Sequence, residues 1–438
     1  MRDVLSAVIG KTVRQLARLR GGGSALPGLV VERIDPGFLS RVLGRLPRGV
    51  IAVSGTNGKT TTTKMIVEIL EARGLRVFTN RTGSNFSRGV VAAAVQQCSL
   101  GGRIDADIAV LELDEAHAIH FIARVKPRFT LLLNVLRDQL DRFGEIDTTA
   151  KLLRRIAEAT SEGLVVNRED PLLAAIGEDA AGRIAVRSFG LSEELRAMFP
   201  SDDDFHRGAA HEEAAAPPRG EADVELVELG EHEAVFRIAG SDHRTRLKLE
   251  GLYNTFNAAA ALATVRLALG GAAEGSASDG SAFDDAALIT ALAEVRPAFG
   301  RGERLQLDGQ PLELVLVKNP AGFRLALASF PAEGVATMIA INDQYADGRD
   351  MSWLWDVDFG SLAPGGVDTV SGVRAWDMAL RLEHDGVAVG RVEEDLEAAL
   401  EAFRRRTGDT PRRIFCTYTA MLALRGRLGE LTEVEDVW

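Results

Sequence analysis

The stretch Ala52-Val53-Ser54-Gly55-Thr56-Asn57-Gly58-Lys59-Thr60-Thr61-Thr62 sets a lysine and a row of hydroxyls directly behind two glycines. It joins an apolar, β-rich run to a good helical pattern, and that context gives it meaning. A glycine-rich strand-to-helix loop aims several backbone N–H groups at one point, and the helix N-terminus adds a positive end. Lys59 can then reach the outer phosphates of a nucleotide, and the Thr60 hydroxyl can hold Mg²⁺. Gly55, Thr56, Asn57, Gly58, Lys59, Thr60 and Thr61 are therefore the expected nucleotide-binding residues. The strict GxxxxGK[ST] pattern is not met, since Val53 stands at its first glycine position.

A second group lies at Val110-Leu111-Glu112-Leu113-Asp114-Glu115, where acids end a strand-like apolar run. Open α/β sheets hold ligands at the carboxyl ends of their strands. Mg²⁺ keeps several waters, so one or two protein oxygens suffice to bind it. His117 and His120 follow closely, but without a partner cysteine or a distinctive spacing they read as helix-surface histidines. Cys98 and Cys416 lie far apart and lack CxxC spacing, which points away from a disulfide framework or a cysteine zinc site and fits a reducing cytoplasm. Cys416, in the strand-like RRIFCTY, has no nucleophile-elbow context and reads as structural.

These groups need a scaffold, and the surrounding text supplies one. Strand-like GVIAVSG, LRVFTN, DIAVLEL, FTLLLNV and EGLVVN alternate with helical TTTKMIVEILEARG and TTAKLLRRIAEAT, the pattern of a doubly wound, largely parallel α/β sheet. This central ATP-binding domain is expected over 46–295, after a lead-in over 1–45, with a small antiparallel β insertion at 190–248. A C-terminal α/β domain is expected over 296–438, carried by LELVLV, TMIAIN, VDTVSG and RRIFCTY. With 438 residues and 46% hydrophobic content, each domain can bury its own core. The net charge of −12 argues against nonspecific nucleic-acid binding. No apolar run approaches the roughly 18 residues of a spanning helix, and no export signal is read, so a cytoplasmic protein is expected. Near the start, Val4, Leu5, Val8, Ile9, Val13, Leu16 and Leu19 form an apolar helical face beside Lys11, Arg14, Arg18 and Arg20. Packing of that face on the body is the favoured reading; contact with a membrane surface or a lipid substrate is the alternative.

Read as GTNGKTTT after a strand, the loop resembles that of the Mur ligase superfamily, and further matches follow in order. By this resemblance Glu112 is the first candidate for the strand-end metal glutamate, with Glu115 second. Asn134 to Gly144 looks like the family's N-x-x-x-D-H-x-D-x-x-G segment, with Gln139 in place of the histidine, which counts against a second, histidine-held Mg²⁺. Lys151 lies near the place of a carbamylated lysine, at a shorter spacing, and reads equally well as a surface lysine. Asn167 and Asp170 in VVNREDP, and Asn254 and Asn257 in GLYNTFNAAAALA, resemble nucleotide-domain asparagine motifs, with Asn254 a candidate for adenine recognition. Either pair can instead serve turns and caps. Phe299 to Arg304 resembles the GR-x-E segment, which makes Arg301 the expected transition-state cation. Val317 to Gly322 keeps Asn319 and Pro320 of the D-Y-A-H-N-P run while losing its aspartate and histidine.

Ile341 to Phe359, Ser371 to Leu382 and Cys416 to Leu422 are similar to the MurT branch, and the resemblance runs from about residue 40 nearly to the end. It implies a ligase that uses ATP and Mg²⁺ to activate the D-glutamate α-carboxylate of the lipid II stem peptide as an acyl phosphate. Ammonia, delivered by a GatD-type glutaminase in a heterodimer, would complete D-isoglutamine. It also implies that an aspartate here, Asp350 or failing it Asp347, orients the partner's catalytic histidine. Trp353 and Trp355 then either border that partner surface or pack in the core. Many members carry a four-cysteine zinc ribbon, but 190–248 has no cysteine, so no zinc is expected. The rivals are a ligase that adds an amino acid and a noncatalytic nucleotide-binding scaffold for a glutaminase.

Overall fold

The computed structural model describes residues 2–19, 26–80, 87–136, 146–196, 220–230, 233–248, 252–270, 284–296, 301–330 and 332–434. The chain divides into two compact units. One comprises Met1–Val135, Ile146–Lys248 and Asn254–Arg296; the other comprises Leu136–Glu145, Leu249–Tyr253 and Pro297–Trp438.

The first 45 residues, which read as a lead-in, form three helices, α1 (Arg2–Leu19), α2 (Leu26–Ile34) and α3 (Phe38–Leu43). They belong to the first unit, because Val31, Phe38, Leu39, Val42 and Leu43 share one buried cluster with Val50 and Ala52. After them come β1 (Val50–Ser54), α4 (Lys59–Ala72), β2 (Val77–Thr79), α5 (Ser87–Gln97), β3 (Ile108–Glu112), α6 (Glu115–Ile122) and β4 (Phe129–Leu132). Then follow α7 (Ile146–Ala159), β5 (Gly163–Asn167), α8 (Pro171–Ala180) and β6 (Ala185–Leu191). The unit closes with β7 (Val224–Leu229), β8 (Glu233–Ile238), β9 (Ser241–Arg246), α9 (Leu252–Gly270) and α10 (Asp285–Glu294).

The nine strands form one sheet in the order β2-β3-β1-β4-β5-β6-β7-β8-β9. β1 pairs in parallel with both β3 and β4. The chain thus runs outward to β2, returns beside β1 and then crosses to its other side. Such a reversal opens a crevice at the carboxyl end of β1. Every residue of β1, β3, β4 and β5 is buried, as strands covered on both faces require, which is why they read as unbroken apolar runs. The insertion does not stand apart. β7 joins the sheet edge in parallel with β6, and β7, β8 and β9 continue it as an antiparallel meander. The acidic stretch 197–219 lies outside the described residues.

α1 departs from the favoured reading. It sits on the body through Asp3, Ser6, Ala7, Gly10 and Ala17, while Val4, Leu5, Val8 and Leu16 are exposed. The reason is the company Asp3 keeps: its carboxylate takes Arg41 Nε at 2.8 Å and Arg45 Nη2 at 2.5 Å, while Ser6 donates to Asp35 at 2.7 Å. Gly10 fits against Val31 and Val95, where a Cβ would come within 2.6 Å of Val95. Polar pairing and close backbone approach therefore set which side of this helix faces inward.

The second unit holds β10 (Arg301–Leu307), β11 (Gln310–Leu316), α11 (Pro320–Ser329), β12 (Ala336–Ala340), β13 (Thr369–Ser371) and α12 (Ala375–His384). β14 (Val392–Glu393), α13 (Leu396–Thr407), β15 (Arg412–Cys416) and α14 (Tyr418–Leu428) complete it. Its six-stranded sheet has the order β10-β11-β15-β12-β13-β14 and is parallel except for the β10–β11 hairpin. Alternate residues feed opposite faces: Ile339 and Phe415 join Phe323, Trp353 and Phe359, whereas Met338 and Ile414 join Leu305, Leu400 and Met421.

Candidate active site

The β1–α4 loop owes its shape to two glycines and an asparagine. Gly55 has φ 128° and Gly58 has φ 85°, backbone states that side chains with a Cβ rarely adopt. Asn134, just beyond β4, clamps the loop from outside: Thr56 N donates to its carbonyl at 3.0 Å, Asn57 N donates to its Oδ1 at 2.8 Å, and its Nδ2 donates to Asn57 O at 3.1 Å. Asn167, at the end of β5, donates to Leu133 O at 3.0 Å, and Asp170 Oδ2 accepts from Val135 N at 2.6 Å, which holds the segment carrying Asn134. Asp170 also caps α8 by accepting from Leu172 N and Leu173 N at 3.0 and 3.2 Å.

Asn257 on α9 is buried against the loop's other flank. A Cβ at Gly58 would stand 2.7 Å from both its Nδ2 and its Oδ1. Gly58→Ala is accordingly expected to weaken nucleotide binding about tenfold, from strained backbone and a displaced Asn257 at about 1–2 kcal/mol. Calorimetric titration with an ATP analogue reads this directly, and unchanged affinity would dismiss the contact. Asn254, the adenine candidate, stands half-buried in the first turn of α9.

Thr60 Oγ1 donates to Glu112 Oε1 at 3.0 Å, which brings together the hydroxyl and the strand-end acid. Asn80, at the end of β2, fixes Glu112 through both backbone groups, accepting from its N at 3.0 Å and donating to its O at 2.9 Å. Glu115 takes another partner. Its carboxylate lies 3.3 Å from Lys59 Nζ, with side-chain exposures of 4% and 8%, and Lys59 also donates to Gly55 O and to Thr56 O. Two buried opposite charges satisfy one another here. Among the described residues no cluster of three or more His, Cys, Asp or Glu stands ready for a metal. Two hard oxygens, Thr60 Oγ1 and Glu112 Oε1, nevertheless fit a Mg²⁺ that keeps most of its waters. Thr61 is buried in the first turn of α4, and Thr62 Oγ1 bonds back to Gly58 O at 2.8 Å. His117 pairs with Asp114 at 3.1 Å on α6, and Lys151 is exposed on α7. Gln139 and its neighbours lie outside the described residues.

In the second unit the two aspartates differ sharply. Asp347 is 1% exposed and ties the β12 loop to the start of α14: Thr419 N donates to Oδ1 at 2.7 Å, the Thr419 hydroxyl to Oδ2, and Gln344 N to Oδ2 at 3.0 Å. Asp350 is half-buried, and its Oδ1 takes Ser352 N at 2.9 Å, opening a short 3₁₀ turn over Ser352–Asp356. Of the two tryptophans, Trp353 packs edge-on against Phe323 at 6.4 Å, whereas Trp355 is half-exposed beneath the Arg381 guanidinium at 5.3 Å. Asn319 caps α11 by accepting from Gly322 N at 2.8 Å, with Pro320 as the first helical residue. Burial, then the nearby Asp347 charge, pushes the Cys416 thiol far above its ordinary range, which suits a structural thiol. Arg301 opens β10 opposite Val315, and its side chain lies outside the described part.

Residues 53–265 match the Mur ligase middle domain, and residues 316–421 match the MurT ligase C-terminal domain. Over 98% of its length the chain is 30% identical to the lipid II isoglutaminyl synthase (glutamine-hydrolyzing) subunit MurT of Streptococcus pneumoniae R6, covering 97% of that protein. The chain belongs to the MurT family. It is thus a ligase of the Mur type, with that fold. A MurT subunit from Staphylococcus aureus COL is 27% identical over 90% of both chains. Among solved structures, MurF from Acinetobacter baumannii aligns with a TM-score of 0.65 at 20% identity, covering 90% of this chain and 79% of that one. MurF from Thermotoga maritima in complex with ADP aligns at 0.64 and 18%, covering 90% and 82%. At these identities the likeness speaks for the fold alone.

Within this MurT-family site, the sequence reading lacked the roles of Asn80 and Asn134. Both end apolar strands, in LRVFTN and FTLLLNV. A lone amide closing a buried run is a readable signal, because such a group needs backbone partners at a sheet edge.

Proposed function

We propose that this chain is the synthetase subunit that amidates the D-glutamate α-carboxylate of the lipid II stem peptide. ATP would phosphorylate the carboxylate, since carboxylate oxygen leaves poorly and phosphate leaves well. Ammonia would then attack the acyl carbon, and phosphate would depart with the C–O bond electrons, leaving D-isoglutamine once the amine sheds its proton. The observation that carries the nucleotide half of this reading is the pairing of Thr60 with Glu112 beside a buried Lys59, at the carboxyl end of β1. Lys59 would turn from Glu115 to the outer phosphates, the loop N–H groups would cradle them, and Asn254 would serve adenine. Thr60 and Glu112 would hold Mg²⁺, which when bound offsets charge on the transferring phosphoryl group. By family resemblance alone, Arg301 is the proposed transition-state cation.

The amide half rests on the MurT relatives, whose name specifies a glutamine-hydrolyzing synthase. At neutral pH ammonia is mostly ammonium, so a glutaminase of the GatD type is the proposed source, in a heterodimer with Asp350 or Asp347 completing its histidine site. The deciding assay supplies lipid II, ATP and Mg²⁺ with ammonium or glutamine, with and without such a partner. Ammonium-driven amidation by this chain alone is the expected result. ATP turnover that appears only with an added amino acid would sink the proposal.

A further inference from the structure

We infer that the outward face of α1 seats this protein on an anionic lipid surface. At about 100° per residue, Val4, Val8, Leu5, Leu16 and Ile9 fall within an arc of roughly 140°, with Lys11 at one margin and Arg2 at the other. Four of these apolar side chains are substantially exposed: Val4 41%, Leu5 59%, Val8 42% and Leu16 56%. The helix is inverted relative to an ordinary surface helix, which turns its apolar stripe to the core. Here the core side is taken by Asp3, Ser6, Ala7 and Gly10, and the apolar stripe faces out.

Charge selects the occupant. The whole chain carries −12, yet on α1 the stripe is bordered by Lys11 and Arg2, and the helix's one acid, Asp3, points inward to Arg41 and Arg45. An apolar stripe with cationic margins and no outward carboxylate suits the boundary between acyl chains and anionic headgroups. A second copy of a chain this acidic offers no such complement. No helix among the described residues is long and apolar enough to cross a membrane, so this contact would lie in the interface plane. The proposal goes beyond the amidation reading and rests on it in one respect: a lipid-linked substrate gives surface binding its purpose.

The test uses the full chain and vesicles of equimolar phosphatidylglycerol and phosphatidylcholine, with phosphatidylcholine alone as comparison. Cosedimentation is expected with the anionic vesicles and is expected to weaken as salt rises. The double variant L5S/L16S, altered only at exposed positions, should bind them about tenfold less tightly. Amidation of lipid II embedded in those vesicles should fall by a similar factor, while amidation of a water-soluble short-chain analogue stays unchanged. Failure of the unaltered chain to sediment with the anionic vesicles, or equal binding by L5S/L16S, overturns the inference. So does concentration-dependent self-association that L5S/L16S abolishes while vesicle binding persists. If neither substrate is amidated by the unaltered chain, the catalytic reading fails and the vesicle measurement still decides this one.

Discussion

Lys59→Met should lower ATP-dependent amidation by about 10²–10³-fold, the usual loss when one preorganised charge is removed from a transition state. The lysine is buried at 7% exposure, and its resting partners are Glu115 and its own loop carbonyls. Because Glu115 loses its counter-charge in this variant, a lower melting temperature is expected alongside the lost activity; breaking a buried pair commonly costs about 3–5 kcal/mol. The two effects separate on adding Glu115→Gln, which removes the stranded charge. The K59M/E115Q protein should recover most of its melting temperature and none of its turnover. Turnover of K59M within a few-fold of the unaltered enzyme would remove Lys59 from the phosphoryl-transfer step.

Asp350→Asn should abolish glutamine-driven amidation by the complex, by about 10³–10⁴-fold as for other carboxylates that orient a catalytic histidine, and should leave ammonium-driven amidation intact. The substitution is nearly isosteric, and the Asn Oδ1 can still take Ser352 N, so the turn it opens is kept. Asp347→Asn makes the informative contrast. Its carboxylate receives three donors in a buried setting, so its loss should reduce melting temperature and both reactions together. If Asp347→Asn instead spares ammonium-driven turnover while Asp350→Asn changes nothing, the two aspartates exchange roles.

Much of this arrangement was legible before any fold was known. GVIAVSG and FTLLLNV announce buried parallel strands because nothing in them has to face water, and the Gly-Lys-Thr step after the first of them marks the strand-to-helix turn that the proposed nucleotide site uses. Placing Glu112 ahead of Glu115 as the metal carboxylate rested on family resemblance; in the fold both acids reach the start of α4, Glu112 meeting Thr60 and Glu115 meeting Lys59. What could not be read was partner choice over long distances. Nothing local in DEAHA predicts that Glu115 meets Lys59, and nothing in NTFNAAAALA predicts that Asn257 abuts Gly58. α1 misled for a related reason: periodicity identifies an apolar stripe but not the neighbour, and Arg41 and Arg45 claim the opposite side.

The clamp by Asn134 bears on the order in which the protein becomes competent. The residue that shapes the β1–α4 loop is supplied 77 positions after Asn57. A growing chain that ends at β3 already contains Gly55, Gly58, Lys59, Thr60 and Glu112, yet it lacks the amide that holds Thr56 and Asn57 in place. Nucleotide affinity should therefore arise late, when β4 docks beside β1, since contacts so distant in sequence form only after loop closure has been overcome. Nucleotide present during refolding would accordingly speed no early step, and would hold the sheet together once β4 has arrived.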